Sequence, residues 1–384
     1  MSRESALIAS LRRKGAEIGK DVKIHKSVKI NAIKIQIGDR VDIGPNTRIM
    51  ARELVIEPAV KIGKSCSFRS QRIRIGESSQ IGDENDIQPY ALFSMGNTSY
   101  IRSNAHIRGR LVSLGDEVFI TSGFRVGGGG RNGPEACLTI GDRCTMHNNF
   151  INVARPVTVG NDVGFSPETI LITHGYWQSV LEGYSATYAP ITIHDWVILG
   201  MRVIVLPGVE IGEGTTVGAG SIVTKPLPAR CVAVGAPARV IKTDYPFPPS
   251  EEEQDTIMKE ILRTYSNLIS DKGFISEVIE FERGILLKLI KNRAQTNIAY
   301  FRGPQIPPEV FSSAENILLT FEGEASQNTT VMNLRTLRIK GQINSLVQDL
   351  RDFLRRRGIR FYGYGLFRSM PPQISLSLEE DLRE

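Results

Sequence analysis

The stretch Ile191–Val223, ITIHDWVILGMRVIVLPGVEIGEGTTVGAGSIV, decides the fold of this chain. Ile193, Leu199, Val205, Ile211, Val217 and Val223 recur every six residues without a slip. Glycine directly follows three of them, at Gly200, Gly212 and Gly218. An amphipathic helix repeats near 3.6 residues and a lone strand near 2, so neither produces a strict six. Hexads of aliphatic plus glycine predict a parallel β-helix built from very short strands. The glycines suit corners, where a chain needs positive φ or a close backbone approach.

The period extends upstream. Ile18, Ile24 and Ile30 form one triplet, and Ile37, Ile43 and Ile49 the next. Ile56, Ile62 and Phe68 follow, then Ile75, Ile81 and Ile87. Successive triplets start 19 residues apart, which is three sixes and one corner residue. Three hexads per turn predict a three-sided prism. About ten coils at ~4.8 Å each make it roughly 45–50 Å long. The pattern blurs between Phe93 and Tyr100 and resumes at Leu114, Ile120 and Val126. Two segments break it and are expected to be excursion loops, Gly127–Ala136 and His174–Pro190.

Residues 1–17 are expected to hold a capping helix over Ser5–Lys14, and residues 18–242 the β-helix. The proline-rich 243–250 reads as a linker. Ser250 and Glu253 then form a helix-start signature. Residues 251–384 read as a small α+β domain. Helices are expected over 251–270, 274–292 and Ile343–Arg357. Strands are expected at Ile317–Phe321, Leu334–Ile339 and Ile359–Tyr362, with a loose tail from Ser375.

The net charge of +6 is uneven, since residues 1–243 hold 29 Lys+Arg against 21 Asp+Glu. No basic stripe interleaved with aromatics appears, which argues against nucleic acid and for a small phosphorylated ligand. Cys66, Cys137, Cys144 and Cys231 lack CxxC spacing and read as free thiols of a reducing, cytoplasmic compartment. The N-terminus has no apolar signal core, and no run is long enough to span a membrane. Peripheral contact with the inner face of a membrane stays open.

The texts HNNF, VTVGNDVGFSPETILITHG, ITIHDWVILGMRVIVLPGVEIGEGTTVGAGSIVTK and VGAPARVIK span His147–Lys242, about a quarter of the chain. In them the sequence resembles the left-handed parallel β-helix, or hexapeptide-repeat, acyltransferases. It is most like the galactoside, maltose and nodulation-factor acetyltransferase branch, with streptogramin and bacterial surface-polysaccharide O-acetyltransferases nearby. Residues 244–384 resemble no named family. The left hand of the helix, acetyl-CoA as donor and a homotrimer with sites between prisms are what the resemblance implies.

His174 closes a hexad triplet and opens the second excursion, where the family's general base stands. Imidazole, with a reference pKa near 6.5, accepts a proton at neutral pH from a hydroxyl attacking a thioester. The family's upstream asparagine falls on Asn149, with Asn148 its neighbour; a corner role for either stays open. Met201 falls where the family has a small residue whose amide faces the thioester oxygen. Methionine there implies a tighter pocket. Ala219, Thr224 and Lys225 match contacts to pantetheine and beyond, while Arg239 and Lys242 match the phosphate end. His194 reads as a turn residue. Tyr176 and Trp177 lead an aromatic-rich loop expected either to cover a neighbouring subunit or to stack on a sugar. No zinc-histidine spacing exists, so no metal is expected. The function implied is acetyl-CoA-dependent O-acetylation of a sugar hydroxyl of a surface polysaccharide or its precursor. N-acetylation of a nucleotide-linked amino sugar is the alternative, and a noncatalytic scaffold a third reading.

Overall fold

Most hexads form a strand of two to four residues followed by a tight corner, because an inward aliphatic can repeat only where the chain turns. The structure is a computed structural model, and it describes residues 6–128, 133–303, 305–322, 328–363 and 370–371. Gly129 and Gly130 of the expected glycine loop, and the tail from Ser375, lie outside the described residues.

The hexads stack in parallel register, with Ile193 beside Ile211, Leu199 beside Val217 and Val205 beside Val223. All six are essentially buried. Ten strand triplets run from Glu17–Ile18 to Ile222–Val223, and an incomplete further coil adds Val232–Val234. Where the hexads blur, the coil is intact. Asp86–Met95 pairs with His106–Leu114 around a corner, with a register shift between Pro89 and Leu92. That extra corner residue displaces the period; Phe93, Met95, Ile101 and Ile107 still point inward.

The hexad glycines serve close approach rather than positive φ. A Cβ on Gly200 would lie 2.6 Å from the Ala219 backbone nitrogen, and one on Gly212 only 2.4 Å from that of Ala229. The left-handed position comes later in the corner, on Trp196, Arg202, Gly214 and Gly220.

Helix α1 (Ala6–Arg13) covers the first coil with Ile8 and Leu11. Arg12 donates from Nη2 to the carbonyls of Ile18 and Gly19, satisfying edge groups that an open prism end would expose.

Residues 1–247 and 248–384 form separate compact units. In the second, α2 (Glu251–Ser270) starts with a reciprocal capping box between Ser250 and Glu253. A six-stranded sheet follows. The helix expected over 274–292 is instead a hairpin, Ile275–Phe281 with Gly284–Lys291. The second strand is covered on both faces. Ile285, Leu287 and Leu289 enter one core cluster, while Leu286 enters another with Ala299, Phe301 and Leu318. A strand buried on both sides loses its alternation and imitates a buried helix. The strand Ala294–Phe301 belongs to the same sheet and was not expected. Of the strand expected at Leu334–Ile339, only Arg338 and Ile339 are extended, in Arg338–Lys340; residues 334–337 are a turn after Thr329–Asn333, held by Asn333 Oδ1 accepting from the Arg335 and Thr336 amides. Residues 359–362 form no strand. Phe361 is instead buried in the core. The last helix, α3, spans Ser345–Arg355.

Candidate active site

A three-sided prism sorts its corner residues into three columns, one per edge. The second edge runs through Asn148, Pro167, Met201, Ala219 and Gly235, tied by the bonds Arg202 N–Pro167 O and Gly220 N–Met201 O. The third edge carries both excursion loops. It runs through Arg52, Gln71 and Tyr90, then Gly109, Ala136, Asn152 and His174, and on to Thr224 and Lys225.

His174 and Gly175 form a two-residue strand antiparallel to Thr187–Tyr188, so the loop closes back on the edge it leaves. Nδ1 of His174 lies 2.9 Å from Oδ1 of Asn152, one coil upstream. That oxygen also accepts from Thr173 Oγ1 at 2.5 Å and from the Ala154 amide at 3.2 Å. The Thr173 amide donates to it as well, at 3.4 Å, and two backbone N–H groups on one atom identify it as the amide oxygen. Nδ1 of His174 therefore carries the hydrogen, and the Nε2 lone pair is left to accept a proton. Asn152 is itself 4% exposed, so the orientation is built into the prism.

The rings of Tyr176 and Tyr188 lie 5.4 and 5.5 Å from the His174 ring and 5.5 Å from each other. The Arg155 guanidinium lies 5.2 Å from the Tyr188 ring and pairs with Glu135 at 2.6 Å. Desolvation pushes the Tyr188 phenol above its usual range; Tyr176 adds to this and Arg155 opposes it. Trp177 is 90% exposed.

Asn149 is not the partner of His174. It is fully buried, its Oδ1 accepts from the His147 amide and its Nδ2 donates to the Ser166 carbonyl. Asn148 accepts from the Glu168 amide on the second edge, a prism face away from His174. Asn152 was missed because three asparagines stand within five residues, and only the count of coils shows which one stacks beneath position 174.

The expected donor residues divide. Met201 and Ala219 are exposed on the second edge. Arg239 continues from there, on the strand Arg239–Lys242 that folds back against Val232–Val234. Lys242 lies at that strand's far end, over the rings of Tyr245 and Phe247 at 4.8 and 5.5 Å. Thr224 and Lys225 are exposed on the third edge, two coils beyond His174 and so about 10 Å along it. One chain thus does not bring Met201 and Ala219 to the imidazole.

Residues 190–225 match the family model of the bacterial transferase hexapeptide, six repeats. That match takes in 36 of the 384 residues, the last two full coils of the β-helix. Repeats of this kind wind left-handed. Over 88 residues this hexapeptide-repeat chain is 42% identical to galactoside O-acetyltransferase of Escherichia coli, which is 22% of this chain and 43% of that one. Over 89 residues it is 42% identical to 2,3,4,5-tetrahydropyridine-2,6-dicarboxylate N-acetyltransferase of Staphylococcus aureus, 23% of this chain and 34% of that one. The chain thus spans less than half the length of these curated relatives. A solved hexapeptide-repeat-containing acetyltransferase of Vibrio cholerae is similar over 36% of this chain and 70% of that one, at 22% identity and a TM-score of 0.26. Among the described residues no group of three His, Cys, Asp or Glu could hold a metal ion, and no helix is long and apolar enough to cross a membrane.

Proposed function

We propose that this chain transfers acetyl from acetyl-CoA to a sugar hydroxyl, with Nε2 of His174 as general base. The observation that carries the reading is the hydrogen bond between His174 Nδ1 and the buried oxygen of Asn152. It fixes the tautomer that leaves a free lone pair, and it stabilises the imidazolium formed when the acceptor loses its proton. The hydroxyl oxygen attacks the thioester carbonyl, Nε2 takes the hydroxyl proton, and collapse of the tetrahedral intermediate expels the CoA thiolate, which is protonated by the imidazolium. A backbone amide at Met201 serves as donor to the oxyanion. Tyr176 offers its exposed ring to a pyranose face. Trp177 is exposed, which suits contact with a neighbouring copy.

The split between two edges supports the remainder of the proposal. Met201, Ala219 and Arg239 of one copy face His174, Tyr176 and Lys225 of the next in a homotrimer, with pantetheine between them. The alternative acceptor is an amine, as the name of the similar N-acetyltransferase suggests. The family match over 190–225 excludes His174 and favours neither acceptor. The aromatic flank of His174 favours a sugar. Incubating purified protein with acetyl-CoA and glycan fragments, and following ester and amide products by mass spectrometry, tests the reading. Ester products that depend on His174 support it; amide products alone refute the O-acetyl assignment.

A further inference from the structure

The third edge does not end at His174. Upstream on the same column a concavity of about 460 Å³ is lined by Met50, Ala51, Arg52, Arg69, Ser70, Gln71 and Tyr90. Backbone bonds tie its floor into the ladder, from Arg52 N to Gln71 O and from Gln71 N to Tyr90 O. Ser70, in its centre, lies five coils from Thr173 and His174, roughly 24 Å at the ~4.8 Å coil spacing.

Three features suit a ligand. Arg52 and Arg69 are exposed, and neither forms an ion pair among the described residues. No carboxylate lines the concavity. The Ser70 hydroxyl, on a residue only 8% exposed, has no hydrogen-bond partner. Tyr90 presents an exposed ring beside it, 41% accessible. Two uncompensated guanidiniums, an amide and an aromatic face match a sugar that carries a carboxylate. Between this site and His174, Arg108 and Arg155 are each compensated by a carboxylate, Asp86 and Glu135.

We propose that the acceptor is an anionic polysaccharide, and that units of the chain remote from the reacting hydroxyl bind along the third edge with a carboxylate at Arg52 and Arg69. This rests on the transferase reading above. The edge then selects for length as well as charge, because a single sugar at His174 cannot reach a site five coils away.

The test uses the full chain with Arg52 and Arg69 both changed to Ala, and oligogalacturonates of increasing length as probes beside neutral maltooligosaccharides. For wild type, KM falls as the anionic chain lengthens past the span of the edge. In the double variant KM for the long anionic acceptor rises about tenfold, while KM for short acceptors and for acetyl-CoA stays unchanged. Equal KM values for wild type and variant on long chains overturn the proposal. A raised KM for acetyl-CoA also overturns it, by assigning the arginines to the donor nucleotide. Calorimetric titration of long oligogalacturonate into His174→Ala protein, with and without the arginine changes, separates the two readings. Arginine-dependent binding without any turnover by wild type leaves the groove standing and removes the transferase reading. Turnover with arginine-independent binding does the reverse.

Discussion

Replacing Asn152 by Ala removes the acceptor that holds His174 Nδ1 at 2.9 Å. In the resting protein this is a neutral hydrogen bond, worth about 0.5–1.5 kcal/mol net. When His174 takes the acceptor proton the same bond becomes charge-assisted, and bonds to charged groups are worth about 1.5–3 kcal/mol. That stabilisation exists mainly in the transition state, so its loss falls on kcat: about 10- to 100-fold, with KM for acetyl-CoA unchanged. Asn152 also accepts from Thr173 and Ala154, so the alanine variant loses thermal stability too. The Asn152→Asp variant separates the two effects. A carboxylate keeps an acceptor at Nδ1 and favours the imidazolium, so activity returns and the acidic limb of the rate profile moves to higher pH. The assay is steady-state release of free CoA against pH, with melting temperature measured alongside. Wild-type kcat in Asn152→Ala, or a folded Asn152→Asp without recovered rate, would refute the reasoning.

Four further outcomes follow from the same structure. Mixing His174→Ala with Ala219→Trp protein, after dissociation and reassembly, should recover activity that neither has alone, because each copy brings one intact edge; no recovery argues for a site within one chain. Gly200→Ala should lower the melting temperature sharply, since its Cβ would sit 2.6 Å from backbone; an unchanged melting point contradicts the close-approach account. In the second unit Lys272 Nζ pairs with Asp349 Oδ1 at 2.6 Å in a buried site. Lys272→Met leaves that carboxylate uncompensated, at a cost of about 3–5 kcal/mol in chemical denaturation. Burial lowers the His147 pKa in the folded chain. The unfolded chain therefore binds the extra proton first, and stability falls as pH drops below about 6.5 toward the folded value. His147→Gln should flatten that part of the stability curve, and an unaltered curve would exclude His147 as its source.

The prism was legible because its period is covalent: Ile18 to Val223 carry it residue by residue, and burial follows it. What the hexads could not carry was the meaning of the glycines. Sequence pattern does not separate positive φ from close approach, and the structure assigns the hexad glycines to the second. The position of His174, the base proposed here, was legible because a histidine stands where a triplet ends and a loop begins. Its partner was not, since stacking across a coil depends on the total of corner residues between Asn152 and His174. The division of the donor residues between edges was hidden for a related reason: sequence adjacency runs around the prism, whereas a binding groove runs along it. In the second unit the strand Gly284–Lys291 imitated a helix because both of its faces are buried.

The most direct measurement is turnover by His174→Ala beside its affinity for acetyl-CoA, both on folded protein. The account predicts that acetyl transfer to a glycan falls by at least two orders of magnitude, while the dissociation constant for acetyl-CoA and the melting temperature stay near wild type. Transfer at close to the wild-type rate by that variant would contradict it.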